Sequence, residues 1–249
     1  MVRISDILKR VEERRAKEQA KGMPAQPQGD PSTGPVQENQ AAEQPERVLR
    51  ISPTVMDKAK LFNEKEALEL YQFTIGLVKA VYEKARLDKD ITLDEQKDIV
   101  ISVEKFVNQQ SLDNEKILSL ISLNPEGDFI YYNAVNVCII AIDIGIGLGY
   151  EKLDLIELGT IAILHDVGMS KYQDLYNQPR ELSDAEYQEI KNHPQAGSKI
   201  IEKLGEMYKR AVSVIMQEHE LVDGSGYPNG LNGDSIDEYA KIIGVADVY

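Results

Sequence analysis

The chain has 249 residues, 42% of them hydrophobic, and a formal net charge of −14. That length and apolar content suffice for one good core with a smaller helical layer beside it. The acidity excludes binding to duplex nucleic acid, which depends on Lys and Arg neutralising phosphates, while a small anionic nucleotide stays compatible where metal ions supply local positive charge.

The N-terminal stretch MVRISDILKRVEERRAKEQAKG is charged almost throughout and lacks the apolar core of a signal peptide. Within it, Ile4, Ile7, Leu8 and Val11 keep helical spacing and predict a short amphipathic helix reaching about Lys21, either a weakly populated helix with solvated charges or a docking peptide. Residues 22–46 are rich in Pro, Gln, Gly and Ser and nearly empty of large apolar groups, so they cannot offset the entropy of ordering. They predict a disordered linker.

From Thr54 onward helical signals repeat and strand signals nearly vanish. Leu68, Tyr71, Leu77, Val78 and Val81 mark one face of a helix over 64–86. Thr92 and Glu95 form a capping box that starts a helix reaching Asn108. A short helix is expected over 112–120 and a long apolar one over 131–148, with the GIGLG run at 145–149 as its terminating turn. This run lacks the preceding strand and the following Lys-Ser/Thr of a phosphate loop. The helix over 153–164 leads directly into His165. Ser183 and Glu186 cap a helix ending at His193-Pro194, where proline removes a backbone donor and kinks or restarts it. Helices over 207–219 and 236–249 complete the set, the last behind a box of Ser235 and Glu238.

The expected fold is all-α: a tail at 1–50, an N-terminal helical layer at 54–111, and a helical bundle at 112–249. The apolar run Val135 to Leu148 is broken by Asp143 and is shorter than the about 20 residues needed to cross a bilayer, so no membrane span is expected. The single cysteine, Cys138, cannot form an internal disulfide, which suits a reducing cytoplasm.

His165-Asp166, His193, Glu218-His219 and Asp247 all fall at or near expected helix ends, and they include all 3 histidines of the chain. Imidazole and carboxylate are the ligands of borderline and hard divalent metals. Taken singly, each has a plainer reading: a helix-terminal histidine is commonly a capping or hydrogen-bonded residue, and Asp247 on an apolar strip would be a buried acid needing a partner. A shared metal site satisfies them together.

The segments ILHDVG, NHPQAG, EHELVDGSGYP and IIGVADVY follow one another in the order and spacing of one family. Over residues 112–249 the chain resembles an HD-GYP domain, the bacterial branch of the HD phosphohydrolases. The resemblance implies an HD-type helical bundle that hydrolyses cyclic di-GMP in second-messenger signalling with two divalent ions, Fe or Mn being the expected metals. In such a centre Asp166 is the natural bridging ligand and working carboxylate, with His165, His193, Glu218, His219 and Asp247 filling the remaining positions. The GYP triplet, Gly226, Tyr227 and Pro228, is expected to shape the substrate wall and to offer a contact to a signalling partner. Tyr227 is also placed to stack on a guanine base.

The chain departs from that family at several points. Asn133 stands where a ligating histidine is usual, Glu218 replaces the first histidine of HHE, and Met169 replaces the lysine of HDxGK, with Lys171 two residues on as the substitute cation. The text ends at Tyr249 where the family continues, so a C-terminally incomplete protein is expected. Two functions follow: a metal-dependent cyclic di-GMP phosphodiesterase, or a degenerate module of the same fold that binds or docks without efficient catalysis.

Overall fold

In the computed structural model of the chain, residues 64–112, 114–122 and 129–249 are described. The expected amphipathic helix and linker of the first 50 residues lie outside them. The described residues form α1 (Glu64–Arg86), α2 (Leu93–Gln110), α3 (Asn114–Leu118), α4 (Phe129–Gly147), α5 (Lys152–Leu164), α6 (Gln173–Tyr176), α7 (Asp184–Ile190), α8 (His193–Glu202), α9 (Lys209–Ile215) and α10 (Glu238–Val248), with short 3-10 turns between several of them. Among the described residues there is no strand, only an isolated bridge between Asp223 and Asn232.

The central helix is α4. Its sequence is apolar on nearly every face, which suits a helix surrounded by others rather than one with a wet side. It packs against α5, α1, α10 and α2, burying Ala134, Val135, Val137, Cys138, Ile139 and Ile142 completely. Each of the valines and isoleucines among them contributes roughly 1.5–3 kcal/mol by leaving water. By length and composition alone this helix, Phe129–Gly147, would pass for a membrane span, but 61% of the apolar window is buried inside the fold. It begins six residues before the apolar run marked in the sequence, because Phe129, Ile130 and the tyrosines after them extend it.

Two expected starts are present as drawn: the Thr92 hydroxyl accepts from the Glu95 amide while the Glu95 carboxylate accepts from the Thr92 amide, and Ser183 with Glu186 does the same. The Ser183 helix stops at Ile190 and a new one, α8, starts at His193 with Pro194 in its first turn, where a missing N–H costs nothing.

Two boundaries differ. The last helix is capped by Asp237, whose carboxylate accepts from the Tyr239 amide at 2.8 Å, not by Ser235, which lies in a 3-10 turn. Arg210 fixes that carboxylate, with Nη2 donating at 3.1 Å. The helix expected over 207–219 is α9 alone, Lys209–Ile215, preceded by a 3-10 turn and followed by tight turns in which Gln217 and Glu220 donate three residues back. Glu218 and His219 therefore come from a turn.

Candidate metal centre

The centre forms where α5 ends. His165 caps α5, and its ring Nδ1 donates to the Ala162 carbonyl at 2.8 Å, one of the carbonyls a helix end leaves open. That bond places a proton on Nδ1 and turns Nε2 toward the centre, as the nitrogen a metal would take. Nε2 is buried without a hydrogen-bond partner and faces Asp166 Oδ2 and Asp247 Oδ1, each at 3.4 Å. Upstream, the Tyr82 hydroxyl on α1 donates to the Ile163 carbonyl at 2.9 Å and ties the end of α5 to the helical layer.

Gly168 brings in the second wall. A Cβ there would collide with the His193 carbonyl and the Gly197 amide, so only glycine lets the Val167–Tyr172 turn lie directly on α8. His193 opens α8 with its Nδ1 donating to the Ile190 carbonyl at 2.9 Å, again turning Nε2 toward the centre. That Nε2 lies 3.3 Å from Asp166 Oδ1, 3.4 Å from Glu218 Oε1 and 3.0 Å from His219 Nε2.

The six expected ligands thus come together as two groups: Asp166, His193, Glu218 and His219 in one, and His165, Asp166 and Asp247 in the other, with ligand atoms inside each group within 4.8 Å of one another. Asp166 belongs to both, one oxygen facing each side. Acceptor atoms crowd here with too few protons between them. Both Glu218 oxygens and His165 Nε2 are buried with no hydrogen-bond partner, an arrangement that costs several kcal/mol unless a cation lies between them. Nitrogen and carboxylate donors of this kind suit divalent iron, manganese or zinc, so the residues present fit a metal centre.

Burial pushes the Glu218 carboxyl up to about 7, the His165 and His193 cations only partly offsetting it. For His219, burial and then the adjacent His193 lower the imidazole to about 4, which keeps it neutral as a ligand must be. Burial opposes charge on His165 as well, but Asp166, Asp247 and Glu218 together outweigh it and raise its pKa. At Asp166 burial is likewise overcome by the surrounding histidines, led by His165, and the carboxyl stays ionised.

Asn133 donates from Nδ2 to Asp247 Oδ1 at 2.8 Å and so holds a candidate ligand. A cavity of roughly 440 Å³ opens beside Asp166, with Asn133, Met169, Tyr131, Phe129, Tyr176 and Lys79 among its walls. Tyr227 stacks on the His219 ring, centroids 4.7 Å apart and planes at 19°, and Lys191 Nζ lies 5.2 Å from the Tyr227 ring centroid. Gly226 lies flat on the backbone of His219 to Leu221, where a Cβ would collide, and the Tyr227 amide donates to the His219 carbonyl at 3.1 Å. Pro228 follows through a cis peptide bond. The structure does not bring Lys171 into this cluster: its ammonium bonds Asp88 at 2.8 Å and the Arg86 carbonyl at 3.1 Å.

Glu220 was not singled out in the sequence. Its buried carboxylate accepts from the Asn229 amide at 2.7 Å and the Leu231 amide at 2.8 Å, closing the GSGYP loop against the ligand turn. Its place two residues after Glu218, in EHE, was the available signal.

Comparison with known proteins agrees with this geometry. The family model described as HD domain matches residues 104–249, more than half of the chain. The chain is 29% identical over 173 residues to cyclic di-GMP phosphodiesterase PA4108 of Pseudomonas aeruginosa, covering 69% of this chain and 41% of that protein. It is 29% identical over 192 residues to cyclic di-GMP phosphodiesterase PdeB of Borreliella burgdorferi, covering 76% and 49%. It is 33% identical over 103 residues to 3'3'-cGAMP-specific phosphodiesterase 3 of Vibrio cholerae, covering 41% and 22%. The chain spans less than half the length of these curated relatives. Among solved structures, Bd1817, a HDG"Y"P protein from Bdellovibrio bacteriovorus, superposes with a TM-score of 0.61 at 19% identity over 78% of this chain and 64% of that one, which shows a shared HD-type helical fold. With that fold, the matched region and its paired ligand groups in agreement, the chain belongs to the HD domain family.

Proposed function

We propose that this chain is a metal-dependent phosphodiesterase acting on a cyclic dinucleotide, with cyclic di-GMP as substrate and the linear dinucleotide or GMP as product. The observation that carries the proposal is the position of Asp166, which joins both ligand groups and also lines the cavity. The names of the relatives support the substrate class, since several are cyclic di-GMP phosphodiesterases and others are 3'3'-cGAMP-specific phosphodiesterases.

Two divalent ions, iron or manganese, are proposed here, one held by His193, His219, Glu218 and Asp166 and the other by His165, Asp247 and Asp166. Such ions supply Lewis acidity toward phosphoryl oxygens and lower the pKa of water. The chain's own residues orient and insulate. Ala162 and Ile190 carbonyls lock His165 and His193 with Nε2 toward the centre, and Asn133 holds Asp247 against His165. Tyr227 covers the His219 ring and excludes water from that side, while Met169, Tyr131 and Phe129 give the cavity apolar walls suited to a base. Its volume is that of a typical ligand site. A signalling partner is proposed to meet the Gly224–Pro228 loop, beside which Leu221 and Val222 are 53% and 68% exposed. A cytoplasmic setting completes the reading, consistent with the lone, buried Cys138.

The test is a chromatographic assay of the purified protein with cyclic di-GMP and with 3'3'-cGAMP, in Mn²⁺ or Fe²⁺ and then in excess chelator. Metal-dependent appearance of the linear dinucleotide or GMP is expected. A folded, metal-loaded protein that binds cyclic di-GMP and leaves it intact would establish the docking function instead.

A further inference from the structure

We propose that Lys79, on α1, is the residue that grips the phosphodiester, so that the helical layer outside the matched family region completes the substrate site. The inference rests on the phosphodiesterase reading above and names the group that holds its anion.

The cavity beside Asp166 is walled by residues from α1, α4 and the turn after His165-Asp166, and Lys79 is the one basic residue among its lining residues. Met169, on the turn that carries Asp166, contributes no charge. Lys171 is turned toward α1 and bonded to Asp88. On a chain of net charge −14, an anion entering this cavity therefore meets repulsion from most of the surface and attraction from Lys79.

The surroundings hold the ammonium at the rim. Lys79 Nζ lies 5.5 Å from the centroid of the Tyr131 ring, an orientation that a cation over an aromatic face favours. The acid one turn along, Glu83, also lines the cavity, but its charge is offset by a fork from Arg86, with Nε and Nη2 donating at 3.0 and 2.7 Å, and it accepts from the Tyr131 hydroxyl at 3.1 Å. Lys79 is exposed, so an incoming phosphate meets it from solvent at the cavity wall. With Asp166 and Lys79 on walls of one cavity, a phosphodiester bound between them would have its oxygens drawn toward the ammonium and its phosphorus toward the metal centre.

Titration calorimetry in Mn²⁺ with cyclic di-GMP, and separately with bis(p-nitrophenyl) phosphate as a phosphodiester without bases, tests this on the full chain. Lys79→Ala should weaken both ligands by roughly tenfold or more, the size of one charge-assisted contact, and flatten the salt dependence of binding. Lys79→Arg should retain most of the affinity. Adding Met169→Lys to Lys79→Ala should restore it, because a cation returns to the same cavity from the other wall. In turnover, KM should rise more than kcat falls. Unchanged affinity of Lys79→Ala for both ligands, or a loss that Met169→Lys does not recover, would overturn the proposal. A wild-type protein that ignores cyclic di-GMP but binds the simple diester through Lys79 would reject the nucleotide reading and support the grip; one that binds neither would reject both.

Discussion

Asn133 and Asp247, separated by 114 positions, meet through one hydrogen bond of 2.8 Å from the Asn133 amide to Asp247 Oδ1, the same oxygen that faces His165 Nε2. Because a carboxylate only accepts, the amide nitrogen must be the atom turned toward it. Asn133 would thereby act on the proposed metal centre through one of its candidate ligands. Asn133→Ala should lower metal affinity at the His165 side by about 10- to 100-fold, the usual effect of removing a group that orients a ligand. Competition with a fluorescent chelator checks it. Equal affinities in variant and parent would show that Asp247 needs no such support.

Asp166 is shared, so its loss should be felt on both sides. Asp166→Ala is expected to remove nearly all bound metal, whereas Asp247→Ala should remove mainly the ion on the His165 side. Elemental analysis after purification distinguishes them. Equal metal content in the two variants would rule out a bridge.

Glu218 sets stability against metal binding. Its carboxyl, raised by burial to about 7 from an ordinary 4.5, favours the folded state while protonated, fully so below the unfolded pKa, and that contribution is lost as pH rises through about 7. In metal-free protein at pH 8, Glu218→Gln should therefore raise the melting temperature, since it removes a buried carboxylate whose oxygens accept no hydrogen bond. Near pH 4 the two proteins should melt alike. In Mn²⁺ the order should reverse, because the amide is the poorer ligand. Thermal scans across pH, with chelator and with metal, provide the check, and a Gln variant less stable than the parent at pH 8 without metal would contradict the assignment.

Glu220 holds a loop by two bonds from backbone amides. Glu220→Ala leaves both donors without their partner and should cost about 3 kcal/mol, within the range for losing charge-assisted hydrogen bonds. Hydrogen exchange should accelerate first at Asn229 and Leu231. Protection there equal to the parent's would mean that the loop is held by other contacts.

The candidate ligands were legible in the sequence because each sits in a short motif of metal-binding residue types, and the capping boxes at Thr92 and Ser183 because their bonds span only three residues. What it did not disclose depends on partners distant in the chain. Asp237 displaces Ser235 as a cap because Arg210, 27 positions away, fixes its carboxylate. The chain past Ile215 tightens instead of continuing as helix, and Gln217 there accepts from the Asp237 amide at 2.7 Å. Lys171 had the spacing of a substitute cation, but Asp88 is its partner, 83 positions away. Nothing local in the text announces such pairings.

The contact at Gly168 also sets how finely the centre can be tuned. Its turn rests on the α8 backbone with no side chain between them, so the separation between Asp166 and His193 is gauged by main-chain atoms, which side-chain substitution elsewhere does not alter. Drift at neighbouring side chains can alter charge and access while leaving that gauge untouched. A methyl group at position 168 would act as a shim, wedging the two walls apart and spoiling both ligand groups at once.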